Sequence, residues 1–294
     1  MNRSRPEVLI AGGEGMLARD VAAACAARGH GVSALGRSEL DVTDGRSCER
    51  AIAARAPDIV IDCAAWTDVD GAETDEAGAM RVNDTGAGLL AVAAADAGAA
   101  FVYISSDFVF DGHKRSAYVE SDGMNALSAY GRSKQAGETA VAATNPRSFI
   151  LRTAWLFGNR GHNFVETMLR LGSEQSEILV VSDQHGCPTY AGDLAAAIAE
   201  LSETESYGVH HLAGAGEASW YEFAEEIFDQ AGVDCRVIAA TTDMVPRPAR
   251  RPKRSVLRAT RDETPRLPAW QDGLAAYLAE RERVRPPIGS GAST

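Results

Sequence analysis

Cysteine is scarce and unpatterned in this chain. Cys25, Cys48, Cys63, Cys187 and Cys235 are its five, with no Cys-x-x-Cys step and no metal-ligand spacing. An odd, scattered set argues against a disulfide-stapled or zinc-built fold and reads as the reduced thiols of a cytosolic protein. Positive charge is also short. Lys and Arg number 29 against 41 Asp and Glu, a net charge of −12, which disfavours nucleic acid or an anionic membrane as the main partner. No apolar run approaches the roughly 20 residues that a membrane-spanning helix needs. The N-terminus carries charge and then a short strand, not the pattern of a signal peptide. The expectation is a soluble, cytoplasmic protein with no nucleic-acid and no membrane partner, and no internal repeat.

What is present is globular in kind: 294 residues, 45% hydrophobic and 24% charged, enough for one large α/β domain or a domain with a lobe. Short apolar runs at 7–11, 32–35, 58–65, 100–106 and 148–154 read as strands. Helical patterns lie between them, near 17–28, 47–56, 74–97 and 130–143. Strands alternating with helices of this length imply an α/β fold with a parallel sheet covered on both faces. After Trp155 the pattern loosens into helices near 163–171, 193–201 and 220–231 with strand-like 178–181 and 209–212, a smaller mixed α/β lobe. Residues 286–294, rich in Gly and Ser, read as a frayed tail.

Three strand ends carry chemistry. Gly12-Gly13-Glu14-Gly15-Met16-Leu17-Ala18 follows a strand and opens a helix, where backbone N–H groups and the positive helix end hold a dinucleotide pyrophosphate. A tight strand-to-helix turn needs the same glycines, so the turn alone has both readings. Arg37, after the second strand, suits a 2′-phosphate and tilts the choice toward NADPH, though a solvated arginine has the same signature. Cys63-Ala64-Ala65 ends the next strand with small residues, for backbone contact with a cofactor or for close helix packing.

Tyr130-Gly131-Arg132-Ser133-Lys134 puts a phenol and an ammonium four apart, on one face of a helix. Such pairs are ordinary on helix surfaces. Placed over a nicotinamide, however, the ammonium would lower the phenol from about 10 and let it trade a proton with a substrate oxygen. Among the other polar residues, His113, His162, His185, His210 and His211 make no ligand triad and read as structural, with His185 near any substrate. Trp220, Tyr221 and Phe223 read as lobe core. No metal site is expected.

Further strings complete a pattern: Asp41-Val42-Thr43-Asp44, Cys63 through Asp70, Ile104 through Gly112, Arg152-Thr153-Ala154-Trp155, Asn163-Phe164-Val165, Asp183 through Tyr190, His211 through Gly214, Ser219 through Phe223, and Arg251 through Leu257. With Tyr130 and Lys134, they resemble an extended short-chain dehydrogenase/reductase, and more narrowly the dTDP-4-dehydrorhamnose reductase family, over about residues 7 to 282. The resemblance implies a Rossmann-type doubly wound sheet and reduction of the C4 ketone of a dTDP-4-keto-6-deoxyhexose. The first expected substrate is dTDP-4-dehydro-β-L-rhamnose. NADPH is the expected cofactor; NADH and Mg2+ are left open, as is a homodimer.

By the same resemblance Tyr130 donates the proton, Lys134 holds the nicotinamide ribose, Ser106 polarises the ketone and Asp107 touches the sugar or tunes the proton transfer. Asp41 and Val42 lie on the adenine side, with Ala64, Ala65 and Trp66 near the pyrophosphate and ribose. Trp155 forms a wall against the sugar, beside Phe108. By their own chemistry, apart from the resemblance, Asn163, Arg250 and Arg251 suit hydrogen bonds to the diphosphate, the arginines bidentately; a solvated face stays open for the arginines. Residues 1–154 with 193–212 form the cofactor domain, 155–192 with 213–282 the substrate lobe, and 283–294 a tail. Departures are Phe108 for the family's Tyr, Ala126 for the Pro of Asn-Pro-Leu, Ser106 for the usual Thr, and Ala18 for the third glycine. Three alternatives remain: another dTDP-4-keto-deoxysugar, a non-catalytic NADP-binding subunit like that of methionine adenosyltransferase, and an epimerase or dehydratase.

Overall fold

The computed structural model describes residues 5–159 and 161–284. In β1 (Glu7–Ala11), Val8 and Ile10 enter one hydrophobic core while Leu9 and Ala11 enter another. A strand covered on both faces is apolar throughout, which explains the unbroken run. It is joined by β2 (Gly31–Leu35), β3 (Ile59–Asp62), β4 (Ala100–Ser106), β5 (Ser148–Thr153) and β10 (Gly208–His211) in one sheet. Their order is β10-β5-β4-β3-β1-β2, and every pairing is parallel. Strand order reverses between β1 and β3, the switch point at which open α/β sheets bind ligands.

α1 (Met16–Ala27) and α7 (Ala191–Leu201) cover one face, burying Leu17, Val21 and Cys25 of the first and Leu194 and Ile198 of the second. α2 (Gly45–Arg55), α4 (Ala87–Asp96) and α5 (Ala129–Thr144) cover the other through Ile52, Leu90 and Val141. Asp44 caps α2 by accepting from the Arg46 N–H, so the helix starts two residues before the expected Ser47. The parallel sheet covered on both faces, expected from the alternation of elements, and the doubly wound order implied by the resemblance are therefore both observed.

The run at 58–65 is a strand only as far as Asp62. The Asp62 carboxyl accepts from the Ala64 N–H at 3.0 Å, a local turn that takes Ala64 and Ala65 out of the ladder, while the Cys63 N–H still donates to the Ala11 carbonyl at 3.2 Å. The expected helix at 74–97 is three segments: α3 (Glu76–Met80), a π-helical turn over Arg81–Gly86, and α4. Gly98 ends the last, with φ 73.

The remaining elements form the lobe. Three two-stranded pieces are β6 (Leu156–Phe157) with β9 (Thr189–Tyr190), β7 (Glu177–Val181) with β12 (Arg236–Ala240), and β8 (His185–Gly186) with β11 (Ala218–Ser219). α6 (Phe164–Glu174), α8 (Trp220–Ala231) and α9 (Trp270–Val284) surround Phe157, Phe223, Trp270, Leu274 and Tyr277. α8 starts with a Ser219/Glu222 capping box and stops at Gly232, φ 63. β12 and α9 are absent from the sequence expectations. α9 runs to Val284, two residues into the stretch expected as tail, and residues 285–294 lie outside those described. Among the described residues no helix is long and apolar enough to cross a membrane.

Candidate active site

The glycines of the first turn divide their work. A Cβ on Gly12, whose φ is 72, would meet the Ala64 backbone at 2.8 Å, and one on Gly13 would meet Ala34 at 2.7 Å. Both let the turn nest between the ends of β2 and β3, and the Gly13 N–H donates to the Leu35 carbonyl at 2.8 Å. Gly15 differs. It is the exposed N-cap residue of α1, no side chain caps the helix there, and a Cβ on it would approach only the Gly12 carbonyl, at 3.1 Å. Uncapped N–H groups at a helix start suit an anion. Glu14 is exposed, Met16 lies near Gly158, and Leu17 and Ala18 are buried. The Leu17 side chain is therefore core, which leaves only its backbone for a cofactor.

At the end of β2, Arg37 is 84% exposed and its Nε stands 4.0 Å from Asp41. Asp41 accepts from the Thr43 hydroxyl at 2.7 Å and its N–H at 3.0 Å, and these bonds, the hydroxyl's first, hold its carboxyl below the usual range. Val42 is buried against Gly86. Glu39 lies in the same loop and accepts from the Gly36 N–H at 3.2 Å. At the end of β3, Cys63, Ala64, Ala65 and Trp66 are half-buried. Trp66 is fixed through its backbone by Asn83, which accepts from the Trp66 N–H at 2.9 Å and donates to its carbonyl at 3.1 Å.

The chemistry gathers where β4 meets α5. Ser128 caps α5 by accepting from the Gly131 N–H, and a Cβ on Gly131 would fall 2.3 Å from the Phe108 carbonyl. That glycine lets the first turn of α5 press against the short 3-10 turn Asp107–Val109. Tyr130 and the Ser106 hydroxyl thereby become neighbours. Ser106 donates to Asp107 Oδ1 at 3.0 Å, and Ser255 donates to Asp107 Oδ2 at 2.5 Å. Burial pushes the Asp107 carboxyl up to about 6 against the Ser255 and Ser106 hydrogen bonds.

Lys134 is buried one turn from Tyr130. Its Nζ donates to the Ile104 carbonyl at 3.0 Å and lies 4.8 Å from the Tyr103 ring centroid. Burial brings the ammonium down to about 8, opposed chiefly by Asp62. Asp62, buried at the end of β3, is itself pushed by burial up to about 7. The Tyr130 phenol is pushed up to about 12, by burial first and by Asp107, with Ser106 opposing. The expected lowering by Lys134 is not seen here: the ammonium donates to the Ile104 carbonyl and feels the Asp62 charge instead. A phenol held protonated is still the right state for a proton donor.

On the expected sugar side, the Phe108 ring meets Tyr130 edge-on, with centroids 5.5 Å apart. Trp155, with φ 45, stacks on Trp220 at 3.5 Å and lies against Gly186, where no Cβ would fit. Trp220 is thus half-buried backing for Trp155 as well as lobe core. Two expected ligand residues are otherwise engaged. Asn163 caps α6, accepting from the Glu166 N–H at 3.1 Å and donating to the Gly158 carbonyl at 2.9 Å. Arg251 closes on Asp70 at 3.0 and 3.1 Å and donates to the Ala249 carbonyl. Neither has its side chain free for a diphosphate; one caps a helix and the other clamps two loops. Arg250 is exposed and has no ion pair among the described residues.

Asn83, Asp62 and Ser255 are missing from the sequence expectations. Asn83 donates to Ser133 Oγ at 2.9 Å, and Ser133 donates to the Tyr130 carbonyl at 2.7 Å. The π-helical turn carrying Asn83 thus braces the catalytic helix. Only Ser255 had a signal, its place in the Arg251 to Leu257 string. A cavity of about 620 Å³ lined by His162, Arg170, Gln230 and Arg281 lies in the lobe and is not lined by Ser106, Asp107, Tyr130 or Lys134. No group of three or more His, Cys, Asp or Glu among the described residues is placed to hold a metal ion.

The chain is similar to known proteins along most of its length. A family model described as RmlD substrate binding domain matches residues 6–283. The dTDP-4-dehydrorhamnose reductase of Streptomyces griseus is 41% identical, with 87% of each chain covered. A probable dTDP-4,6-dihydroxy-2-methyloxan-3-one 4-ketoreductase of Streptomyces antibioticus is also 41% identical, with 85% of each covered. Among solved structures, the dTDP-4-dehydrorhamnose reductase of Bacillus anthracis in complex with NADP superposes with a TM-score of 0.92 at 36% identity, covering 94% of this chain and 100% of that one.

Proposed function

The chain belongs to the RmlD family of dTDP-4-dehydrorhamnose reductases, and from that premise we propose that it reduces the C4 ketone of a dTDP-4-keto-6-deoxyhexose with NADPH. dTDP-4-dehydro-β-L-rhamnose, giving dTDP-β-L-rhamnose, is the first substrate to try. One observation carries the reading. Tyr130 is buried beside Ser106 and Asp107, its phenol pushed up to about 12 by burial, with a buried lysine one turn further along the same helix.

The chain's own residues divide the task. Tyr130 Oη gives its proton to the ketone oxygen, and the Ser106 hydroxyl fixes that oxygen by a second hydrogen bond. Lys134, cationic below about 8, holds the ribose. The open turn at Gly15 and the uncapped start of α1 fit a pyrophosphate, and exposed Arg37 fits a 2′-phosphate. NADPH, when bound, supplies the hydride. We assign 1–154 with 193–212 to the cofactor and 155–192 with 213–282 to the sugar nucleotide. A cytoplasmic enzyme suits these nucleotide substrates.

A second sugar is favoured by one feature. Phe108 offers a ring edge and no hydroxyl beside Tyr130, so a substrate lacking the matching acceptor is tolerated there. NADPH oxidation against a panel of dTDP-4-keto-6-deoxyhexoses, with product identification, tests the proposal. Stoichiometric oxidation with at least one sugar is expected. No oxidation with any of them, together with copurification with a synthetase subunit, would mean a non-catalytic NADP-binding subunit.

A further inference from the structure

We propose that Ser255 is a positioning residue: by donating to Asp107 Oδ2 it places the acid proton of Asp107 on Oδ1, so that Asp107 donates to Ser106 and releases the Ser106 hydroxyl for the ketone oxygen. The inference rests on the reductase reading above and adds to it a residue from the far end of the chain.

The problem that it solves is one of counting protons. A serine hydroxyl has one hydrogen to donate. With Asp107 ionised, that hydrogen goes to Oδ1 at 3.0 Å. Ser106 then accepts from the Phe108 N–H at 3.2 Å, and it meets any ketone with lone pairs only. An oxygen that only accepts cannot polarise a carbonyl. If Asp107 carries a proton on Oδ1 the bond reverses, and the Ser106 hydrogen is free.

Burial favours the proton, which Asp107 holds below about 6, and Ser255 selects its seat. Asp107 is 1% exposed and Ser255 2%, so neither is levelled by water. A carboxylic acid kept neutral in an apolar site so that it can donate is an established catalytic device. Oδ2 already accepts the Ser255 hydroxyl at 2.5 Å, and a proton placed there would oppose that donor. Few other titratable groups face Asp107. Tyr130 faces it from α5. Cys187 faces it from the segment between β8 and β9, its thiol pushed by burial up to about 12 and so neutral. On the segment bearing Ser255, the neighbouring Arg254 is paired with Glu217.

The expected result has two parts. Wild-type kcat falls as pH rises through the Asp107 titration. Ser255→Ala lowers the low-pH plateau about tenfold, the scale of one hydrogen bond. It also moves the inflection up by about one unit, because a donor favouring the carboxylate is lost. Ser255→Thr keeps the hydroxyl and restores both, and Asp107→Asn removes the inflection. A second readout needs no cofactor: the Asp107 carboxyl band in infrared titration, assigned by difference against Asp107→Asn, titrates higher in Ser255→Ala than in the wild type. An inflection and a band that stay in place, or a kcat that climbs with pH through the inflection, overturn the proposal. These outcomes are distinct from failure of the reductase reading, which would show as no NADPH oxidation by the wild type or full turnover by Tyr130→Phe.

Discussion

At the scale of single residues, the assigned roles separate cleanly by what each substitution should move. Tyr130→Phe keeps the ring that meets Phe108 and loses the proton. Its kcat should fall at least about a hundredfold, the usual scale for a general acid, while NADPH affinity changes little. Near-normal turnover would remove Tyr130 as the donor. Lys134 answers a different measurement. Its ammonium, buried and brought down to about 8, is charged below that pH and neutral above it. NADPH affinity, titrated on either side of that value, should weaken as pH rises through it in the wild type. In Lys134→Met, affinity should be weak and flat. Equal pH dependence in both proteins would make Lys134 a bystander.

At the scale of elements, the site depends on how closely α5 approaches its neighbours. A Cβ on Gly137 would stand 2.1 Å from the Asn83 carbonyl and 2.3 Å from the Tyr103 hydroxyl. Those two groups are already bonded to each other at 2.7 Å. Neither is the end of a flexible chain that can swing away. Gly137→Ala should therefore cost at least about 2 kcal/mol in urea unfolding, within the range for overpacked cores. Gly123→Ala, with nothing within 4 Å of its added carbon, should be close to neutral. Equal stability of the two variants would contradict the packing described for α5.

The elements were legible in the sequence where burial or chain chemistry is local. Runs such as Glu7–Ala11 and Ala100–Ser106 read as strands because both faces are covered, and Trp220–Ala231 carries its own capping box and stop. Gly12 and Tyr130 were legible too, since a turn and a helix face are set by neighbours. Partners distant in sequence were not. Arg251 looks like a diphosphate ligand until Asp70, 181 positions away, is found in its fork. Asn163 looks like another until it is seen capping α6. Asn83 sits in a helical run with no local sign that its side chain faces Trp66 and Ser133. α9 was missed although Trp270, Leu274 and Tyr277 mark its buried side.

Over the whole molecule, the buried acids link the site to stability. Asp62 and Asp107, pushed up by burial to about 7 and about 6, keep their protons in the folded chain at pH values where the unfolded chain, at about 3.9, has lost them. The folded state then binds more protons, so these two groups make stability fall as pH rises from about 4 toward 6 and 7. His210 and His211, lowered by burial, work in the opposite direction over part of that window. The difference between wild type and the Asp62→Asn, Asp107→Asn double variant cancels them. The variant's urea midpoint should gain on the wild type as pH rises through this range. A difference that is constant with pH would show that neither carboxyl is held protonated.

The most direct measurement of the central claim follows a label. NADPH carrying deuterium at the transferable position of its nicotinamide is incubated with the enzyme and dTDP-4-dehydro-β-L-rhamnose, and the sugar product is read by NMR and mass spectrometry. The account predicts one deuterium, at C4, for each NADPH consumed, with incorporation lost in Tyr130→Phe. An isomerised or dehydrated sugar with no net NADPH consumed, or an unchanged sugar beside unoxidised NADPH, would contradict it.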